Sequence, residues 1–284
     1  MRLSIVTINY NGAKKTLKLL KSLWEQTDQD FQIIVVDNAS EEADFDNLKQ
    51  NISNTVLIRN DDNFGFSGGN NVGIKKAIQN GASWVVLLNN DTWVEKDFIS
   101  RLKPILSQKS GIVGLPLDEG DRVAYCGKIQ WFRSTLKHIH NMLNIGCLTY
   151  AIGGAVAIHK DVFEKIGLWD EKYFLYFEDA DFSLRARKVG IPISFTQEVM
   201  IYHNSSSTTK KLGSPLLLRY HYRNALYFNL KNGPWYIKIA VWFWSFWIIK
   251  RQVFKIIVRY KPEESHAILT GVFDFYHHGM GKIV

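Results

Sequence analysis

Cysteine and proline are scarce in this 284-residue chain: Cys126 and Cys147 are its only cysteines, and it has six prolines. Two cysteines in no metal-like spacing exclude a disulfide scaffold and a zinc module, and they favour a reducing compartment. Long apolar runs are missing as well. The amino-terminal stretch has an apolar run of about six residues before polar ones intervene, shorter than the roughly 7–15 of a secretory signal, so it reads as the first strand of a cytoplasmic protein. Residues 239–249 give eleven uncharged positions before Lys250-Arg251, well short of the roughly 20 that span a bilayer. The third absence is of acid. Residues 199–262 hold eleven Lys/Arg and no Asp or Glu, leaving 24 of the 35 basic residues to face 27 acids elsewhere. The net charge of +8 thus belongs to one segment, which also carries Trp235, Trp242, Trp244 and Trp247. Such an asymmetry fits a polyanionic partner. No base-reading module accompanies it, so the expected partner is an anionic membrane surface rather than nucleic acid.

What is present is an ordinary globular composition, 46% hydrophobic and 22% charged, which excludes disorder and a polytopic membrane protein. Residues 3–8, 31–36, 55–58, 84–88 and 112–115 are Val/Ile-rich runs without polar alternation, as in strands covered on both faces. Helical periodicity fills 13–25, 42–51, 70–80 and 95–107, and the alternation predicts an α/β fold with a mostly parallel sheet and flanking helices. Asn9, Asp37, Asn60-Asp61-Asp62-Asn63 and Asn89-Asn90-Asp91 each follow a strand. Any one of them could simply make a turn; four in register predict a crevice at the carboxyl ends of the strands.

Residues 118–150 show no assignable pattern. Residues 151–158 read as a strand containing Gly153-Gly154, which marks a close backbone approach. Asn63 to Asn71, with Gly65, Gly68 and Gly69, reads as a glycine-rich loop leading into a helix and able to cradle phosphate, although it matches neither a Walker loop nor a dinucleotide fingerprint. Asp91 at a strand end is a one-carboxylate metal signal that a diphosphate would complete, with His203 as a second candidate ligand. Glu178-Asp179 follows the aromatic run Tyr173-Phe174-Leu175-Tyr176-Phe177. Acids suit a helix start in any case, but a carboxylate beside an apolar wall is also a candidate general base.

Taken in order over roughly residues 1–210, Thr7 to Asn11, Val35 to Ser40, Asn63 to Asn71, Asn89-Asn90-Asp91, Gly153-Gly154, Glu178-Asp179, His203, Ser206 and Thr208 resemble the inverting glycosyltransferases of family 2. These have the GT-A fold, and the likeness is greatest to their rhamnosyltransferase-like branch. A looser similarity reaches Gly271 to Asp274 and His278 to Lys282. One departure concerns the metal motif, Asp-x-Asp in the family, whose first position here is Asn89. The resemblance implies that Thr7, Asn9 and Asp37 hold the nucleoside, that Asn63, Gly68, Gly69 and Asn70 lie against ribose or diphosphate, and that Asn90 and Asp91 face the donor. It further implies Mg²⁺ or Mn²⁺ on Asp91 and His203, Asp179 as catalytic base, and Trp169, Asp170 and Glu178 toward the acceptor. The expected organisation is a catalytic domain over 1–210 and a basic, aromatic helical extension over 211–284, membrane-associating or packing. The expected reaction takes a sugar, L-rhamnose by the resemblance, from a dTDP- or UDP-linked donor to a polysaccharide or lipid-linked glycan, at the cytoplasmic face of a membrane. A rival expectation is an inactive GT-A-fold binding protein, against which the joint presence of Asp91, Asp179 and His203 argues.

Overall fold

The computed structural model describes residues 1–133, 135–203 and 214–283; Ser206, Thr208 and the boundary expected at 210 lie outside them. The strands β1 (Leu3–Asn9), β2 (Gln32–Asp37), β3 (Thr55–Arg59) and β4 (Trp84–Leu88) run parallel and are joined by α1 (Ala13–Trp24), α2 (Glu42–Asn51) and α3 (Gly65–Gln79). Both faces of this sheet are buried: along β1, Leu3 and Ile5 enter one apolar cluster and Val6 the other, which is why the strands read as continuous hydrophobic runs. The helix α1 turns Ala13, Thr16, Leu19, Leu20 and Leu23 inward, the spacing of one helical face.

β5 (Thr92–Val94), α4 (Phe98–Ser107) and β6 (Ile112–Gly114) follow. The chain then makes an excursion through β7 (Leu117–Asp118), β8 (Val123–Ala124), β9 (Cys126–Gln130), β10 (Thr135–Ile139) and β11 (Thr149–Tyr150) before re-entering the large sheet as β12 (Ala155–His159). Because the excursion leaves and returns at the same edge, β12 runs antiparallel to both neighbours, β4 and β6. The region without a sequence pattern is thus short strands: β9, β10 and β11 form one small sheet, and β7 and β8 join another. After β12 come α5 (Lys160–Ile166), α6 (Glu178–Lys188), β13 (Ile193–Phe195) and β14 (Ile201–His203). The large sheet has the order β13-β6-β12-β4-β1-β2-β3. It is mostly parallel, as expected, with one reversed strand.

Two local expectations change. The glycine-rich stretch is mainly helix, since α3 begins at Gly65 rather than near Asn70. Its glycines let the helix lie close on the sheet: a Cβ on Gly73 would come within 2.3 Å of Val6, and one on Gly69 within 3.0 Å of Asn38 and Ile8. Gly153-Gly154 forms the turn before β12 and is not part of the strand.

The carboxyl-terminal helices α7 (Pro215–Asn232), α8 (Trp235–Ile257) and α9 (Pro262–Tyr276) are not an appendage. Ala225 and Phe228 of α7 share a cluster with Ile129, Tyr150, Tyr173 and Phe177, and a second cluster ties α7 to α8 and α9 through Leu226, Val241, Ile248 and Val272. Arg223 of α7 is fully buried and donates to the carbonyls of Gly279 (2.9 Å) and Gly281 (2.8 Å). Each large apolar side chain lost from such a core costs about 1.5–3 kcal/mol, against a total stability of about 5–15 kcal/mol. A chain ending at residue 210 is therefore expected to lose its cooperative melting transition by circular dichroism. A truncated protein that melts as sharply and as high as the full chain would show that the first 210 residues stand alone.

Candidate active site

A cavity of about 500 Å³ opens at the carboxyl ends of β1 and β4, lined on the sheet side by Ile8, Tyr10, Asn89 and Asn90, and on the α3 side by Asn63, Phe66 and Asn70. Its far wall comes from the end of the chain: Leu216, Leu217 and Tyr220 of α7, with Lys282 and Ile283 beyond α9. Three of the expected donor residues, Asn63, Asn70 and Asn90, thus line one space.

Behind it, the polar residues at the strand ends bind one another. The Asn9 amide donates to Asp37 (2.8 Å) and Asp44 (2.9 Å), and its carbonyl accepts from the Thr16 hydroxyl (2.7 Å). Asn90 donates to the same hydroxyl (3.0 Å), and Asp37 accepts from Ser40 (2.6 Å). These bonds fix where β1, β2 and β4 end, a structural duty that the turn preference of Asn and Asp already suggests. Thr7 is fully buried, and its hydroxyl has no hydrogen-bond partner among the described residues. Gly69 faces the sheet, and Gly68 lies under Phe64. Asn38, not singled out from the sequence, does line the cavity; it accepts from Asn60 (2.8 Å) and donates to Asn63 (3.1 Å) and to the Gly65 carbonyl (2.8 Å).

Asp91 and His203 meet with Oδ1 and Nε2 3.2 Å apart, both side chains about nine-tenths buried. The hydrogen bond that the imidazole donates to the Asp91 carboxylate holds it above its usual pKa, against the opposing effect of burial. A carboxylate oxygen beside an imidazole nitrogen is a donor pair that fits Mn²⁺ or Mg²⁺. Among the described residues no group of three or more His, Cys, Asp or Glu could hold a metal ion, so any cation here would take its remaining ligands from bound phosphate oxygens and water. Asn89 lies against Gly154, where a Cβ would come within 2.3 Å of its amide carbon.

The acidic pair sits where α6 begins, and the chain reaches it through an unusual turn. Phe174, Tyr176 and Phe177 all have positive φ (60°, 72° and 74°), a conformation that costs non-glycine residues of order 1–3 kcal/mol each. Neighbours brace it. The Phe174 carbonyl accepts from the Phe66 N–H at the start of α3 (2.7 Å). From α7, the Asn224 amide donates to the carbonyls of Tyr173 (2.8 Å) and Leu175 (2.7 Å), and Tyr220 stacks on Phe174 at 5.2 Å.

So held, Asp179 Oδ2 accepts from the Gly153 N–H (3.1 Å), and Oδ1 from the Ala180 N–H (2.8 Å). Burial pushes Asp179 up to about 6, and burial together with the charge of Asp179 raises Glu178 well above the usual carboxylate range. Glu178 Oε2 and Trp169 Nε1 are buried polar atoms with no hydrogen-bond partner among the described residues. The Trp169 ring lies over Gly153, where a Cβ would come within 2.6 Å of it, and the Asp179 Cβ is on the same side. Trp169 and Glu178 therefore flank the candidate base. Asp170 points elsewhere, accepting from Lys231 (2.8 Å) and Tyr227 (3.1 Å) of α7, and those bonds lower its pKa.

Residues 4–167, more than half of the chain, match the model of the glycosyl transferase family 2. The chain belongs to that family. It is a glycosyltransferase, and its mixed sheet with flanking helices is GT-A-like. The chain is 26% identical over 290 residues to the low-salt glycan biosynthesis hexosyltransferase Agl10 of Haloferax volcanii, covering 95% of this chain and 91% of that protein. It is 24% identical over 239 residues to the dTDP-rhamnosyl transferase RfbF of Shigella flexneri, covering 80% and 79%. Among solved structures it resembles the mannosyltransferase PcManGT of Pyrobaculum calidifontis in complex with GDP-Man and Mn²⁺, with a TM-score of 0.57 at 13% identity over 97% of this chain and 87% of that one.

The raised carboxyls carry a cost in stability with a definite sign. An acid whose folded pKa stands above its unfolded value contributes full stability below the unfolded pKa, near 4, and loses it as pH rises through the folded pKa, about 6 for Asp179. Asp179→Asn keeps an acceptor for Gly153 and cannot ionise. Its Tm is expected to equal that of the unsubstituted protein near pH 4 and to exceed it by about 2 °C or more at pH 8. A lower Tm at pH 8 would mean that the ionised carboxylate stabilises the fold.

Proposed function

We propose that this family 2 glycosyltransferase moves L-rhamnose from dTDP-L-rhamnose to a glycan or lipid-linked saccharide, with inversion at the anomeric carbon and Asp179 as the base. The observation that carries the mechanism is the buried Glu178-Asp179 pair, Asp179 bonded to the Gly153 N–H beside a cavity large enough for a nucleotide. The likeness to RfbF, named a dTDP-rhamnosyl transferase, supports the choice of sugar. In this reading Asn63, Asn70 and Asn90 contact the donor from the cavity walls, while Thr7, Asn9 and Asp37 set the strand ends beneath it. Trp169 and Glu178 face the acceptor.

The acceptor hydroxyl gives its proton to a carboxylate oxygen of Asp179 as its oxygen bonds to the anomeric carbon. The bond from that carbon to the diphosphate breaks on the opposite side, and the electron pair leaves with the nucleoside diphosphate. A divalent cation held by Asp91 and His203 would offset the charge that develops on the leaving diphosphate. The Mn²⁺ bound in the mannosyltransferase complex supports that assignment. Glu178 is raised too, by burial and then by the charge of Asp179, which favours its protonated form while Asp179 is ionised. In this reading the transfer takes place at the cytoplasmic face of a membrane.

Two measurements test this. In a thermal-shift panel of nucleotide sugars with Mn²⁺, dTDP-L-rhamnose at about 100 times its Kd should stabilise the protein by about 2.7 kcal/mol; a larger shift from a UDP- or GDP-linked sugar would reassign the donor. Asp179→Asn should lower transfer by about 10²-fold or more with donor affinity within a few-fold. A kcat close to that of the unsubstituted enzyme would remove Asp179 from its role.

A further inference from the structure

The helix α8 is 23 residues long, about 35 Å at 1.5 Å per residue, and two of its faces are apolar. One is accounted for: Ile237, Val241, Ser245, Ile248 and Gln252 recur every three or four residues, are buried, and include the α8 contribution to the cluster shared with α7 and α9. On the opposite face, among the described residues, only Trp242 meets a neighbouring ring, that of Tyr276 of α9 at 5.5 Å. Ile239, Trp242, Phe243, Phe246, Phe254 and Ile257 follow the same period half a turn away and are exposed, Phe243, Phe246 and Ile257 to 70% or more. An outward stripe of this size and aromatic content on a surface helix marks a contact surface.

Its charge says what the surface meets. Lys250 sits within the apolar stripe; Lys238, Arg251 and Lys255 lie on the same helix, with Arg259 and Lys261 just beyond it, and no acid occurs anywhere in residues 199–262. A second copy of the chain packed two-fold on this face would bring these cations together with no carboxylate from the same helix to pair them. Crossing a bilayer is excluded for α8, because among the described residues no helix is long and apolar enough. Tryptophans and phenylalanines interleaved with Lys and Arg suit a helix lying in the plane of a membrane, with rings at headgroup depth and ammonium groups on anionic lipid.

We propose that the exposed face of α8 docks the enzyme on an anionic membrane surface. This rests on the helix alone and does not depend on the donor or on the reaction. Each cation near an anionic leaflet raises the partition coefficient about five-fold, and each phenylalanine ring that enters the interface raises it about ten-fold or more. The stripe thus binds through apolar contact and charge together, and the charge part weakens with salt.

Co-sedimentation of the full chain with vesicles of phosphatidylglycerol and phosphatidylcholine, against phosphatidylcholine alone, tests it. The expected result is binding to the anionic vesicles that falls by about ten-fold or more as salt rises from about 0.05 to 0.5 M. Phe243→Ser with Phe246→Ser should reduce that binding by a further ten-fold or more, and Lys250→Glu by several-fold, while the nucleotide-induced thermal shift stays as in the unsubstituted protein. The proposal is overturned if the full chain ignores anionic vesicles at low salt. It is equally overturned if sedimentation velocity finds a stable dimer that the double phenylalanine variant dissociates, since the face would then be an interface between copies.

Discussion

Keeping two adjacent carboxylates out of water at the start of α6 is the constraint on which the rest of the structure depends. Burial raises the cost of ionising both, and the charge of Asp179 raises that of Glu178 further. A helix amino terminus eases that cost only in part. The position is reached through three residues with positive φ, none of them glycine. Such a turn persists only where its surroundings over-determine it. Here the surroundings are the first turn of α3, which holds the Phe174 carbonyl, and α7, whose Asn224 and Tyr220 hold the rest.

The carboxyl-terminal helices thereby help to position Asp179, the proposed base, through the turn that α7 braces. Arg223 pins the segment after α9 by its carbonyls, and the Ile283 N–H donates to Tyr220 (2.7 Å). The same tyrosine stacks on Phe174 and lines the cavity. The end of the chain, the cavity wall and the turn before Asp179 are therefore one packed unit. On the far side of that unit α8 turns aromatic residues outward, so the helices that close the site on one face carry the proposed docking surface on another.

Much of this was legible in the residues. The β-branched runs locate β1 to β4 because both sheet faces are covered and nothing but apolar side chains fits there. The polar residues after each strand locate the mouth of the site for the same reason: where burial ends, Asn and Asp begin. Long-range packing was not legible. Gly69 reads as a loop residue and Gly73 as an ordinary helix position, yet both serve the close approach of α3 to the sheet, and only the position of Val6 and Ile8 beneath them reveals it. Nor does spacing alone separate Asp170, tied to Lys231 of α7, from Glu178 beside the proposed base, since both are acids that flank the aromatic run. Arg223-Asn224 was overlooked, although a polar pair inside an otherwise apolar helix is the signal that such groups are buried and bonded. The reversed strand β12 follows from an excursion whose short strands carry no period of their own.

The central claim is that the fold holds Asp179 as a base poised close to neutrality. The pH dependence of kcat/KM for sugar transfer by the unsubstituted enzyme, at saturating Mn²⁺, tests it most directly. The expected profile rises with unit slope from about pH 5 and levels off through an apparent pKa near 6, the value to which burial lifts Asp179. A rate that is flat from about pH 5 to 8, or that levels off already near pH 4, where an unburied aspartate titrates, would contradict the account.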